Sequence, residues 1–359
     1  MGLIRVAIIG GGVGGTTVAR GLVARNEGNP KVSLQVTIFE KSRGLGGRLS
    51  TRHQSGFQFD HGAPHFTIKD PVFAAFCEQL QAEGVLSEWT GTEAQLGEGA
   101  FGHFVPPPRW VAVPGMNALC KAGLEDGSDV RVMPGVEVAP LRSSSDRRWH
   151  LSSVAGEALG DFDVVVLTAP VPQSIKLIGA VVPPLSESAA NMRVQQSLQN
   201  LELQPCFSLM IGLPDPTSLT LKRLGWCRAK VNDRVVSWIG VDSSKPGRDH
   251  SRTSIVVHSQ ALWSRERLEH PVEETGLMML GALNRITNLD VVSPACSATH
   301  RWRYAARASG QCLDPAVQGL RLADQERGLY VVSEVFEPTR VEHAWLAADR
   351  VAGGIFDTF

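Results

Sequence analysis

The chain has 359 residues, 43% of them hydrophobic and 20% charged, with a formal net charge of −1. That length and balance suit a soluble globular protein with room for two domains, and they leave no electrostatic case for nucleic acid or an anionic membrane as partner. No apolar stretch approaches the ~20 residues that span a bilayer, and the apolar N-terminus reads as a strand instead of a signal peptide.

In chain order, Leu3 to Ile9 reads as a buried parallel strand. Gly10, Gly12 and Gly15 follow at G-x-G-x-x-G spacing, with Val13 and Gly14 between them, and Thr16 to Arg25 reads as a helix. A second strand, Ser33 to Phe39, ends in Glu40. This is the order a dinucleotide site needs. Gly10 permits a tight turn, Gly12 lets the backbone approach a pyrophosphate, and Gly15 lets helix and strand pack closely. The helix N-terminus turns N–H groups and the positive dipole end toward phosphate. Glu40 can accept both hydroxyls of an adenosine ribose and would repel a 2′-phosphate there.

A second glycine-rich segment, Lys41 to Arg48, adds Arg43, Gly47 and Arg48, which suggests more ligand to wrap and guanidiniums to meet phosphate. Gly56 to Asp60 alternates like a strand and runs into His61-Gly62-Ala63-Pro64-His65-Phe66. Farther on, Val130 to Val138 reads as a strand, with Val136 placed to offer backbone groups to an adenine edge. Phe162 to Leu167 reads as a strand buried on both faces. It stops at Thr168-Ala169-Pro170, where the chain crosses between domains.

From about Val171 the texture changes to a helix-like start and then β-rich segments. Cys206–Leu213, Trp226–Val231, Val235–Val241, Ile255–Gln260 and Ala298–Tyr304 read as one mixed or antiparallel sheet. Glu273 to Arg285 reads as a flanking helix with Leu277, Leu280 and Leu283 at helical spacing. Trp226, Trp238, Trp263 and Trp302 fit core better than pocket lining. Gly328 to Val332 reads as a last buried strand, Ser333 to Arg340 as a loop, and Val341 to Phe356 as a helix.

The glycine turn, the acid closing the second strand, S-R-G-x-G-G-R and D-x-G-A-x-x-F resemble the FAD-binding region of renalase-type flavoproteins, relatives of the amine oxidases. Arg109-Trp110-Val111, Pro114-Gly115-Met116, Ser244 to Asp249, Trp263-Ser264, His300 to Ala305 and Arg340-Val341-Glu342 with Ala344-Trp345-Leu346 extend the resemblance over nearly the whole chain. It implies an α/β fold: a glutathione-reductase-like FAD-binding Rossmann domain (1–70, 105–170 and 325–359) and an α+β substrate domain (71–104 and 171–324). It implies FAD as cofactor, touched by the residues named above from Gly10 to Arg48 and by Asp60, Gly62, Ala63, Pro64, His65, Phe66, Val136, Ala169, Glu334, Arg340 and Val341. The last helix would point its N-terminus at the flavin's pyrimidine end. Relatives usually carry Gly-Asp where this chain has Ser333-Glu334, and glycine where it has His343. The activity implied is hydride transfer from dihydronicotinamide isomers of NAD(P)H to flavin, with oxygen as acceptor and hydrogen peroxide as product. An amine oxidase or other small-molecule flavin oxidase, and a non-catalytic binding or regulatory protein on the same fold, are the alternatives.

His65, His300 and Trp302 are the candidate catalytic residues. Strand alternation sends His300 and Trp302 to one face and Arg301 and Arg303 to the other, and one of these faces is expected to border the substrate. His61 and His65, four apart around a Gly and a Pro, suit pocket lining or loop satisfaction better than a metal site, and no metal is expected. Ser244 to Asp249, with Lys245 and Arg248, reads equally as a phosphate-contacting loop or as a hairpin turn with a solvated basic tip. The six cysteines form no C-x-x-C pair, so reduced thiols in a cytoplasmic protein are expected, and redox chemistry must come from a cofactor.

Overall fold

The strand expected at the N-terminus forms as Gly2–Ile9, paired in parallel with a strand on each edge, and its last four side chains are buried. The computed structural model describes residues 2–27, 29, 32–97, 106–124, 129–142, 148–179, 202–307, 322–324, 327–332 and 340–358, and these make up two units. The first comprises 1–47, 120–202 and 309–359; the second comprises 48–119 and 203–308. Residues 48–70 and 106–119, assigned above to the nucleotide domain, fall in the second unit, and 171–179, 202 and 322–324, assigned to the substrate domain, fall in the first.

The first unit carries a six-stranded sheet in the order Leu322–Asp324, Leu329–Val331, Val164–Leu167, Gly2–Ile9, Val32–Glu40, Val130–Pro134. Every pairing is parallel except the first. Parallel sheets are covered on both faces, which explains the unbroken apolar runs of the central strands. The helix Val13–Asn26 packs on the closing helix Val341–Phe356. A Cβ at Gly21 would lie 2.9 Å from the Ala352 Cβ, so a small residue sets that approach.

Two expected strands end differently. Val130–Pro134 stops four residues short of Val138 because Gly135 turns with φ +76°. Phe162 closes a separate strand, Ala158–Phe162, since Asp163 interrupts the run and its carboxylate accepts from the Arg5 backbone N–H at 2.8 Å.

In the second unit the sheet runs Cys296–Arg307, Leu203–Leu213, Thr253–Ser259, Val236–Val241, Arg228–Asn232, Glu93–Gly97, antiparallel throughout except the last pair. One face packs on the helix Val272–Thr287 through Phe207, Leu209, Ile211, Val257, Met279 and Leu283. The buried stripe of that helix runs through Thr275, Met279, Ala282 and Leu283, and Leu277 is exposed, contrary to its expected place in the stripe. The opposite sheet face meets the hairpin Thr51–Gln54/Phe57–Asp60, where Phe57 and Phe59 pack on Met210, Val256 and Cys296. The tryptophans divide accordingly. Trp226 and Trp263 are core, as expected, whereas Trp238 and Trp302 stand half-buried on the hairpin side.

Candidate functional site

In the first unit the chain makes a tight turn at Gly10, whose φ is +115°. A side chain at Gly15 is impossible without movement, because its Cβ would lie 1.9 Å from the Gly10 carbonyl oxygen. Gly12 is the N-cap of the helix Val13–Asn26, and no side chain caps it. The first-turn N–H groups of Val13 and Gly14 therefore have no acceptor within the helix and face outward as an anion seat. The second glycine segment closes against the first: Gly46 N–H donates to the Gly11 carbonyl at 2.9 Å, and a Cβ on Gly47 would lie 3.1 Å from the Gly12 Cα.

Glu40, buried at the end of its strand, accepts from the Gly11 N–H through Oε2 and from the Ser42 N–H through Oε1, each at 2.7 Å. Both contacts are with neutral main-chain donors. Each carboxylate oxygen keeps a lone pair for a ribose hydroxyl. Around this seat, Lys41 and Arg43 are exposed, and Lys41 Nζ lies 3.5 Å from Gln173 Oε1. Val136 spends its N–H on the Glu40 carbonyl at 3.0 Å, so its own C=O is the group left for an adenine edge. The Ala169 carbonyl accepts from Ser174 Oγ, and Thr168 Oγ1 donates to the Gly10 carbonyl at 2.9 Å, pinning the turn. Arg340 is the N-cap of the last helix and Val341 its first residue, and no side chain caps this end either. Ser333 and Glu334 lie outside the described residues.

The second unit holds the other expected residues. Arg48 Nη1 lies 3.4 and 3.5 Å from the Ala305 and Tyr304 carbonyls. Its own carbonyl accepts from the Ala63 N–H, and Gly62 is obligatory there because a Cβ would lie 1.9 Å from that oxygen. Phe66 is buried and exchanges both main-chain bonds with Trp110, which anchors the loop after Pro64.

Asp60 differs from the expectation. Its Oδ1 accepts from Thr51 Oγ1 at 2.7 Å and the Met116 N–H at 3.0 Å; its Oδ2 accepts from Lys245 Nζ at 2.8 Å and an Arg248 nitrogen at 2.5 Å. A carboxylate has about four acceptor sites, and protein groups fill all of them. Asp60 is a buried anchor with no acceptor left for a cofactor. Burial alone would raise its pKa, yet Lys245 and Arg248 hold it down at about 2. Lys245 and Arg248 thus form neither a phosphate loop nor a solvated tip: both are buried, and Lys245 also pairs with Asp242, whose Oδ2 accepts the Asp60 N–H. A second buried knot ties Glu93 to Arg109 and Arg228 at 3.0 Å each.

Strand register then assembles what the sequence leaves scattered. Trp238, His258, Ser208 and His300 are directly opposite one another across four neighbouring strands, and so share one sheet face. His61 joins them. Its ring lies 5.0 Å from His300 and stacks on Trp302 at 5.3 Å, while its carbonyl accepts from Trp302 Nε1 at 2.9 Å. His65 lies 6.1 Å from Trp89 and 6.2 Å from Trp238, ring to ring. Of the two expected faces, the His300/Trp302 face is the one lined this way. Arg301 bonds the Leu268 carbonyl and Arg303 pairs with Glu269 on the other side.

Burial, with His300 and Arg52 adding to it, pushes His61 down to about 3; burial with Arg109 and Lys245 does the same to His65. Burial with Lys245 lowers His258 to about 4, and burial with Arg52 lowers His300 to about 4. All four imidazoles are neutral at pH 7. Ser208 Oγ, His61 Nδ1, His65 Nδ1 and His258 Nε2 are buried without a hydrogen-bond partner among the described residues. Sequence reading missed Ser208, His258, Trp89 and the Arg52 guanidinium. Alternation could have paired Ser208 with Met210 on one face, but only the register joins it to His258 and His300. No cluster of His, Cys, Asp and Glu among the described residues could hold a metal.

Residues 8–80 match the NAD(P)-binding Rossmann-like domain family. The chain is 25% identical to mouse renalase (Mus musculus) over 328 residues, covering 89% of this chain and 90% of that one. It is 38% identical over 73 residues to a 4,4'-diapophytoene desaturase of Staphylococcus haemolyticus, a match covering 20% of this chain and 13% of the desaturase. Among solved structures, a candidate protoporphyrinogen oxidase from Exiguobacterium superimposes with a TM-score of 0.74 at 13% identity, covering 98% of each chain. Putrescine oxidase bound to putrescine gives 0.71 at 15%, covering 99% of this chain and all of that one. At such identities the two structures establish the fold. With the open glycine seat and the Glu40 carboxylate fitting the adenosine end of FAD, these relations point to an FAD-dependent oxidoreductase that is similar to renalase over nine-tenths of its length.

Proposed function

We propose that this enzyme oxidises small reduced nicotinamides, the dihydronicotinamide isomers of NAD(P)H, and passes their electrons to dioxygen. Bound FAD would supply a two-electron acceptor for the substrate's hydride and a route for both electrons to O2, with that hydrogen and one proton from water completing hydrogen peroxide. The protein's task is then to hold and orient. Glycine-turn N–H groups receive the pyrophosphate, and Glu40 receives the ribose. In the second unit, Trp238 and Trp302 offer flat apolar surface to a planar ring, while Ser208, His258 and His300 offer uncharged donors and acceptors to a carboxamide.

The observation that carries the reading is the charge balance around that row. Glu93 is held by Arg109 and Arg228, Asp60 by Lys245 and Arg248, and Asp242 by Lys245. None of these three carboxylates is left to receive an ammonium group, and imidazoles titrating near 3 to 4 are poor bases for taking a proton from an alkylammonium. Hydride loss from a dihydronicotinamide leaves a cationic aromatic ring and requires no base. That reaction suits neutral lining; amine oxidation does not. The test is anaerobic mixing of the yellow holoenzyme with dihydronicotinamide isomers and with amines. Bleaching by the former supports the proposal, and bleaching by amines alone sinks it. A preparation that stays colourless after FAD is added would sink any flavin-dependent activity.

A further inference from the structure

We propose that Arg52 is the anion-recognising residue of this site, reading a phosphate on the substrate so that the enzyme prefers a phosphorylated, nucleotide-type reductant to the uncharged nucleoside. The inference deepens the reading above and rests on it for the nature of the reduced ring. Arg52 lies on the strand Thr51–Gln54, directly opposite Phe59, on the hairpin face that packs against the sheet. Phe59, its partner in register, packs with Met210, Val256 and Cys296 and against Trp238, and the Arg52 charge lowers the basicity of His61 and His300. Among the described residues its guanidinium makes no ion pair and no hydrogen bond.

Other cations of this unit are committed. Arg109, Arg228, Lys245 and Arg248 are all bound to carboxylates, and Arg301 and Arg303 are taken by the Leu268 carbonyl and Glu269. Arg252, near the same hairpin, lies with its guanidinium carbon 5.6 Å from the Phe57 ring centre. Arg52 is half-buried, and His61, on which its charge acts, has unused hydrogen-bonding capacity at Nδ1 on a residue 5% exposed. A planar fork of donors beside a flat aromatic wall matches a phosphate a few bonds away from a stacked ring. The neighbouring imidazoles are neutral and do not compete for the anion. Because the Glu93, Asp60 and Asp242 carboxylates are spent on other cations, no repulsive acid among them offsets the attraction.

The experiment uses the holoenzyme and the oxidised product forms, so that binding is read without turnover. Quenching of tryptophan fluorescence is titrated with nicotinamide mononucleotide, nicotinamide riboside and inorganic phosphate. The mononucleotide should bind about tenfold or more tighter than the riboside, and phosphate should compete with the mononucleotide only. Arg52→Met should bring the ratio of the two affinities to about one, Arg52→Lys should restore part of it, and Arg252→Met should leave it intact. Equal affinities in the unaltered enzyme, or a ratio that survives Arg52→Met, would overturn the proposal. Two further outcomes separate it from the functional reading. If both reduced forms bleach the flavin at equal KM and Arg52→Met changes neither, the Arg52 assignment fails alone. If neither bleaches it yet the mononucleotide binds in an Arg52-dependent way, the anion site stands and the substrate reading fails.

Discussion

Glu40 and Asp60 are both buried acids that end a strand, one in each unit, and they do opposite work. Glu40 is met by two neutral main-chain N–H groups and keeps acceptor capacity toward the open glycine turn. Asp60 is met by a lysine, an arginine, a hydroxyl and an N–H, and has none to spare. The first is built for a visiting ligand; the second fixes the start of the His61–Phe66 loop to the sheet. What surrounds a buried carboxylate decides whether it binds or braces.

The largest effect that could break this contrast is at Asp60. Asp60→Asn leaves Lys245 and Arg248 buried beside a neutral amide, and should cost about 3–5 kcal/mol of stability, read from denaturant unfolding. A loss below about 1 kcal/mol would show that Asp60 is not a brace. Gly15→Ala comes next. A Cβ 1.9 Å from the Gly10 oxygen must push helix and strand apart, costing about 1–3 kcal/mol and weakening FAD retention. Glu40→Gln should weaken FAD binding by about 1–2 kcal/mol, roughly tenfold, while lowering stability far less than Asp60→Asn. Equal damage to stability from both substitutions would erase the distinction between the two acids.

The imidazoles sharpen the contrast through pH. Their folded pKa values lie at about 3 to 4, below the ~6.5 of an unfolded histidine. As pH falls, the unfolded chain takes up these protons first. Stability should therefore be full above about pH 6.5 and decline from there toward pH 4, with Tm as the readout. Ion pairing at Asp60 should hold until well below pH 4, because its pKa is only about 2. The smallest expected effect is at Leu277, exposed on its helix: Leu277→Gln should change stability by no more than about 0.5 kcal/mol.

The nucleotide seat was legible because its geometry is local. Gly10, Gly12, Gly15 and Glu40 lie within thirty-one residues, and each glycine answers a short-range steric demand. The second unit was legible as a sheet, strand by strand, but not as a site. Trp238, His258, Ser208 and His300 become neighbours only through antiparallel register, which a single sequence does not disclose. Lys245 resembled a surface charge because its partner, Asp60, lies 185 residues away. The strand ends at Gly135 and Asp163 show the same limit at short range, where one turn or one side-chain bond outweighs an apolar run.

The most direct test of the central claim is anaerobic mixing of the holoenzyme with dihydronicotinamide isomers and, separately, with putrescine, following the flavin's visible absorbance. The charge balance of the imidazole row predicts rapid bleaching by the dihydronicotinamides and none by the amine. Bleaching by putrescine, with the dihydronicotinamides inert, would contradict it.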